Sequence, residues 1–317
     1  MQTPILFLMG PTAIGKTAAA ITLATRFSQL SLISVDSAMV YRRMNIGTGK
    51  PDLSTLTRVP HRLIDIREPW ETYSAANFSH DAHQAIADCR AQGKIPLFVG
   101  GTFLYFKALQ LGLSDLPSAS PVIRAEIQAA AIAEGWPALH AQLAVFDPQT
   151  ARRLSTQDSQ RITRAIEVYR ITGRSLSAFI ADKPRSGGQP LPGPIIPFVL
   201  NNASRASLHA QISKRFHDMM AQGFLDEVRA LLEEPQIHPD LPAMRAVGYR
   251  QLIEYCQPSA DQPAQTLEQA VERGIAATRQ LAKRQLTWLR GLPSIPHFMN
   301  QPDLIQAIAD YIKRGDL

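Results

Sequence analysis

The 317-residue chain has almost no cysteine: Cys89 and Cys256 are its only two. They form no Cys-x-x-Cys pair, and no histidine stands at metal-ligand spacing from either. That excludes a disulfide framework or a structural zinc site as the basis of the fold. The two thiols read as ordinary buried side chains in a reducing cytoplasm. Long apolar runs are missing too. Ile5–Met9 breaks at Gly10-Pro11 and has no basic stretch before it, so a signal peptide is not expected. No later run reaches the ~20 residues a membrane helix needs. Internal repeats and low-complexity tracts are absent. Charged residues are only 19% against 45% hydrophobic, which excludes a disordered chain and leaves ample material for a core. The charge leans one way, to a net +6. That modest excess agrees with a polyanionic partner without requiring one. We expect a cytoplasmic monomer with no membrane partner.

What is present is alternation. Ile5–Met9, Leu32–Val35 and Ile95–Val99 are short apolar runs, closed by Gly10, Asp36 and Gly100-Gly101. Lys16–Phe27, Phe78–Arg90 and Phe103–Leu111 have helical character. Short continuous apolar runs fit strands buried on both faces. Their alternation with helices predicts an α/β fold, a parallel sheet with helices on both faces. Ligands of such sheets sit outside the carboxyl ends of the strands, where all three turns fall.

From Ser120 the pattern becomes helical. Ser120 is an N-cap before Pro121, and Ile162, Ile166 and Tyr169 share one face of Asp158–Ile171. Residues 183–194, rich in Pro and Gly, read as a linker. Ile195–Leu200 reads as a further strand, and 207–233 and 265–290 as helix. The expected organisation is a core of residues 1–119 and 190–317 with C-terminal helices, interrupted by a helical insertion domain over 120–189.

The sharpest motif is Gly10-Pro11-Thr12-Ala13-Ile14-Gly15-Lys16-Thr17, a P-loop pattern between a strand and a helix. Its glycines let backbone amides converge on phosphate oxygens, and the following helix adds its positive end. Lys16 supplies a mobile cation, and Thr17 offers a hydroxyl to Mg²⁺. Alone this means a bound phosphate chain, by default ATP or GTP. Asp36 ends the second strand, where a carboxylate can accept a proton or hold a magnesium-bound water. Thr102 follows the third strand beside the same cleft. His61, in Pro60–Ile66, reads as packing or loop hydrogen bonding.

Taken together, the P-loop, Asp36–Tyr41, Ile46–Pro51, Pro60–Ile66, Gly100–Tyr105, Asp158–Arg170, Met244–Gln251 and Thr278–Arg290 resemble the bacterial tRNA dimethylallyltransferases. The resemblance runs from Phe7 to Arg290. Gly49 departs from the commoner alanine, a conservative change. No Cys/His set matches the zinc-finger extension of eukaryotic relatives.

The resemblance implies a P-loop NTPase-like fold in which the loop holds dimethylallyl diphosphate instead of hydrolysing ATP. The acceptor would be N6 of the adenosine on the 3′ side of the anticodon, and diphosphate would leave. Lys16, the loop amides and Mg²⁺ at Thr17 would stabilise the departing charge. Asp36 is the candidate base, and Thr102 would place adenine or diphosphate. The resemblance maps contacts with the tRNA anticodon stem-loop onto Asp36, Ser37, Ala38, Met39, Thr102 and Arg124. It adds Gln160, Arg161, Ile162, Thr163 and Arg164, then Arg245, Ala246, Val247, Gly248, Tyr249 and Arg250. Lys283, Arg284, Gln285, Leu286, Thr287, Trp288, Leu289 and Arg290 complete the set. Two runs are basic, 152–174 and 273–290, and Arg279, Lys283 and Arg290 would share a helix face. By pattern alone Trp288 reads as a core tryptophan. The rival readings are a P-loop nucleotide kinase, an RNA-stimulated ATPase, and an adenylate isopentenyltransferase acting on free nucleotides.

Overall fold

The computed structural model describes all residues except 1–2, 115, 183–190, 202–203, 259–264, 293 and 315–317. In chain order the elements are β1 (Ile5–Met9), α1 (Lys16–Arg26), β2 (Leu30–Val35), α2 (Leu53–Arg58), β3 (His61–Arg62), α3 (Ala75–Ala91), β4 (Ile95–Gly100) and α4 (Phe103–Leu111). Then come α5 (Pro121–Glu134), α6 (Trp136–Phe146), α7 (Pro148–Ala151), α8 (Ser159–Thr172) and α9 (Leu176–Ala181). The chain closes with β5 (Ile195–Leu200), α10 (Arg205–Ala221), α11 (Phe224–Leu232), α12 (Tyr249–Cys256), α13 (Leu267–Arg290), β6 (His297–Phe298) and α14 (Gln301–Lys313).

Contacts divide it into two compact units, Met1–Lys107 with Leu191–Leu317, and Ala108–Pro190. The expected linker lies mostly outside the described residues.

The first unit holds one parallel sheet of order β3-β2-β4-β1-β5-β6. β1 is central, with Leu8 opposite both Val99 and Phe198. Its side chains alternate between two covered faces. Leu6 and Leu8 join Ala19, Ala20 and Leu23 of α1 in the main core. Phe7 meets Phe98 and Phe106 at ring separations of 5.5 and 4.9 Å on the other face. Each buried Leu or Phe here contributes about 1.5–3 kcal/mol by leaving water. The sheet is therefore buried on both sides, and its ligand site can open only at the strand ends.

The edge strands β3 and β6 have two residues each, too short for a periodic signal. The expected 207–233 helix is two helices: Gly223, at φ +99°, closes α10 and starts α11. Helix α13 is entered through a capping box between Thr266 and Gln269.

The second unit packs α5 to α8 around Ile127, Leu139, Leu143, Ile162 and Ile166. Its α5 starts with Ser120 accepting from the Ile123 amide and Pro121 in the first turn. Tyr169 stacks on Phe146 at 4.0 Å.

Candidate active site at the strand ends

The first unit has a cavity of about 310 Å³ at the carboxyl ends of β1, β2 and β4. It is lined by P-loop residues Thr12 to Thr17, except Ile14, and by Asp36, Met39, Arg215 and Gln285 among others. In the loop, Ala13 and Gly15 have φ of +64° and +94°. Left-handed residues among right-handed ones turn successive N–H groups inward and form an anion-binding concavity. Gly10 carries no Cβ because the Leu200 carbonyl passes 2.4 Å from where one would stand.

Lys16 is buried and donates to the Pro11 carbonyl at 2.5 Å. Burial, and then the Arg215 guanidinium, push its pKa down to about 7, against a partial lift from Asp36. Arg215 of α10 donates to the Thr48 carbonyl at 3.3 Å. Burial lowers its pKa too. The cavity thus gathers a buried lysine, a half-buried arginine and one carboxylate, which favours a bound polyanion.

Asp36 Oδ1 accepts from the Ala38 and Met39 amides at 2.8 and 3.2 Å. Its second oxygen makes no hydrogen bond among the described residues. Thr102 Oγ1 accepts from the Ser37 amide at 3.2 Å, fixing that hydroxyl against the Asp36 turn. His61 also lines the cavity. Its Nδ1 bonds the Val59 carbonyl at 2.8 Å, the loop bond expected of it, while Nε2 is buried without a partner. Burial lowers its pKa and favours the neutral ring.

Arg215 was invisible in the sequence as a site residue. It sits mid-helix in Ser213-Lys214-Arg215-Phe216, with no local feature to separate it from a surface arginine. Gly49 explains its position. A Cβ there would stand 1.8 Å from Arg215 Nη2, and Gly49 has φ +66°. Glycine at 49 is therefore not an indifferent replacement for alanine; it makes room for the guanidinium.

The residues assigned to RNA contact separate by exposure. Lys283, Arg284, Thr287 and Arg290 are exposed on α13, as are Arg245 and Arg250 nearby in sequence. Arg279 is half-buried. Trp288 is 40% exposed and stacks on Phe103 at 6.0 Å, with Lys107 against its ring at 5.7 Å. It is not a core residue, because Ala282, Gln285 and Leu289 already fill the buried stripe of α13.

Leu289 at 1%, Tyr249 at 0% and Ile162 at 0% are buried, as is Gly248, so their side chains are turned inward and not toward a surface partner. Tyr249 instead donates to Glu227 at 2.5 Å. Glu227 also accepts from the amides of Asn45, Ile46 and Gly47, and so holds the loop that carries Gly49. In the second unit, Gln160 and Arg161 are exposed. Arg124 and Arg164 both bind Glu167, at 2.8 and 2.6 Å.

The model of a known family, described as IPP transferase, matches residues 39–292. The chain belongs to the IPP transferase family. The P-loop and Asp36 precede the matched span. The tRNA dimethylallyltransferase of Alkalilimnicola ehrlichii is 54% identical over 287 residues, 90% of this chain and 87% of that one. That of Thiobacillus denitrificans is 52% identical, covering 92% and 90%. Among solved structures, a full-length tRNA isopentenylpyrophosphate transferase from Bacillus halodurans matches with a TM-score of 0.68 at 30% identity. It covers 98% of this chain and 96% of that one. A eukaryotic dimethylallyltransferase acting on tRNA shares the fold, with a TM-score of 0.72 at 24% identity. In this chain the family's fold is built on a P-loop sheet, and no described helix is long and apolar enough to cross a membrane.

Proposed function

We propose that this enzyme transfers a dimethylallyl group from dimethylallyl diphosphate to N6 of the adenosine on the 3′ side of the tRNA anticodon. Diphosphate is the other product. Support comes from the relatives' activities. The observation that carries the reading is the convergence of Lys16 and Arg215 on one cavity with Asp36.

Breaking the allylic C–O bond builds charge on the diphosphate. The P-loop amides, Lys16 and Arg215 are positioned to stabilise it without reorganising at the moment of reaction. Asp36, held by two amides through one oxygen, keeps the other to take the proton from N6. Thr102 positions the Asp36 turn and has a hydroxyl hydrogen to donate.

Mg²⁺ fits as an ion carried with the substrate. No group of three or more His, Cys, Asp or Glu side chains among the described residues would cage it. Thr17 and Asp36 both line the cavity, and Mg²⁺ is commonly bound by one or two carboxylates together with substrate phosphates. When bound it would supply further neutralisation of the leaving group. The target adenosine must leave its stack to reach a strand-end cavity. The exposed cations of α13 and of residues 245–250 suit the phosphates of its loop.

The test is mass spectrometry of nucleosides from unmodified tRNA incubated with the protein, Mg²⁺ and dimethylallyl diphosphate. One dimethylallyl group gained on adenosine, only with that donor, is the expected result. ATP consumed in a parallel sample, with no adduct, would replace this reading by a kinase or ATPase.

A further inference from the structure

We infer that Gln285 of α13, at the cavity wall, is a positioning residue for the diphosphate, locking the P-loop in its anion-binding shape. The inference rests on the proposed role of that loop in holding a diphosphate.

Two bonds define the arrangement. Gln285 Oε1 accepts from the Thr12 amide at 2.8 Å, across 273 residues of chain. Gln285 Nε2 donates to the Gly101 carbonyl, also at 2.8 Å. The side chain is only 8% exposed. One amide therefore ties the P-loop to the turn after β4, with both polar ends satisfied and one orientation possible. Gly101 has to be glycine for this approach, since a Cβ would stand 2.5 Å from Gln285 Nε2.

The bond lands where the loop needs support. Pro11 has no N–H, and the Thr12 N–H is spent on Gln285. The amides left for an anion begin at Ala13. That residue has φ +64°, a conformation unfavourable for any side chain with a Cβ. A strained residue persists only when its surroundings over-determine it. Immediately before it, Gln285 fixes Thr12, and on the far side Gly15 opens α1 with Gln301 packed where its Cβ would be. With Gln285 gone, the start of the loop is free to relax Ala13 and turn its amides away from the cavity.

The experiment is calorimetric titration of the full chain with inorganic diphosphate and Mg²⁺. Gln285→Met keeps the volume and loses both bonds. It should weaken binding about tenfold, the size expected for one to two lost hydrogen bonds. Ile275→Val, in the buried stripe of the same helix, should leave affinity unchanged while lowering the melting temperature slightly. A structural defect alone would move both variants alike. Ala13→Gly removes the strain, so Gln285→Met should cost about threefold or less in that background.

Equal affinity of Gln285→Met and wild type overturns the inference. So does an equal loss with and without the Ala13→Gly substitution. No binding by wild type overturns the diphosphate reading instead. Should Gln285→Met fail to fold, Gly101→Ala displaces the same amide and should weaken diphosphate in the same direction. Unchanged affinity there also overturns the inference.

Discussion

Each unit contains a cluster of two basic side chains and a carboxylate built around one buried charged group, and the two clusters are balanced oppositely. In the second unit Glu167 is fully buried. Burial alone would raise its pKa, but Arg124, Arg164 and the Ser120 amide hold it below the usual carboxylate range. Every charge there has found its partner. In the cavity of the first unit, among the described residues, Lys16 donates to a carbonyl and to no carboxylate, Arg215 also reaches a carbonyl, and one Asp36 oxygen accepts no hydrogen bond. The lysine answers by losing proton affinity. A closed cluster contributes to the fold; an open one holds charge ready for a ligand.

Four substitutions would break or sharpen that contrast. Asp36→Asn keeps the oxygen that accepts from Ala38 and Met39 and loses the base. Turnover in a single-turnover assay should fall about 10²–10⁴-fold with tRNA affinity nearly intact. A near-normal rate would remove Asp36 from the chemistry.

Glu167→Ala leaves two partly exposed arginines without their buried carboxylate and the Ser120 amide without its acceptor. It should cost about 3–5 kcal/mol in denaturant unfolding, discounted toward the lower figure because Arg124 is half exposed. Diphosphate affinity should not change, and a loss of affinity would show that the clusters are not separate in function.

Lys16→Met should do the reverse, lowering diphosphate affinity by about two orders of magnitude with stability unchanged or raised. The pH dependence has a definite sign. A lysine at about 7 in the folded chain binds fewer protons there than in the unfolded chain, where it titrates near 10.5. Stability should therefore rise between those two values, and Lys16→Met should remove that slope. Diphosphate recharges the lysine, so binding at pH 8 should take up protons in wild type beyond what the variant takes up. Identical proton uptake, read by calorimetry in buffers of different ionisation enthalpy, would refute the shift.

The smallest effect expected is from Gly49→Ala. It pushes the Arg215 guanidinium aside and should lower kcat/KM for dimethylallyl diphosphate several-fold. An unchanged kcat/KM would mean the arginine finds an equivalent position.

Local chemistry made much of this legible in the chain. The P-loop announces itself because only Gly10 and Gly15 permit its turn beside a lysine. The strands are readable because β1 and β4 are apolar throughout, and Ser120 caps α5 by a bond to the third residue of its helix. Reading failed where a position gets its meaning from a distant partner. Trp288 lies on an amphipathic helix, but it sits outside the buried stripe, half-exposed with one face stacked on the distant Phe103. Tyr249 and Leu289 stand among basic residues yet point inward. β3 and β6 exist only because a sheet edge was there to pair with.

Sequence by itself determined the kind of fold and the phosphate loop, because helix caps, apolar runs and glycine turns act within a few residues. Tertiary structure alone decided how the loop is held and charged. Arg215 reaches Thr48 across 167 residues, and Gln285 reaches Thr12 across 273. Hydrogen bonds and burial depend on separation in space, and no local pattern of a chain encodes a contact at that range.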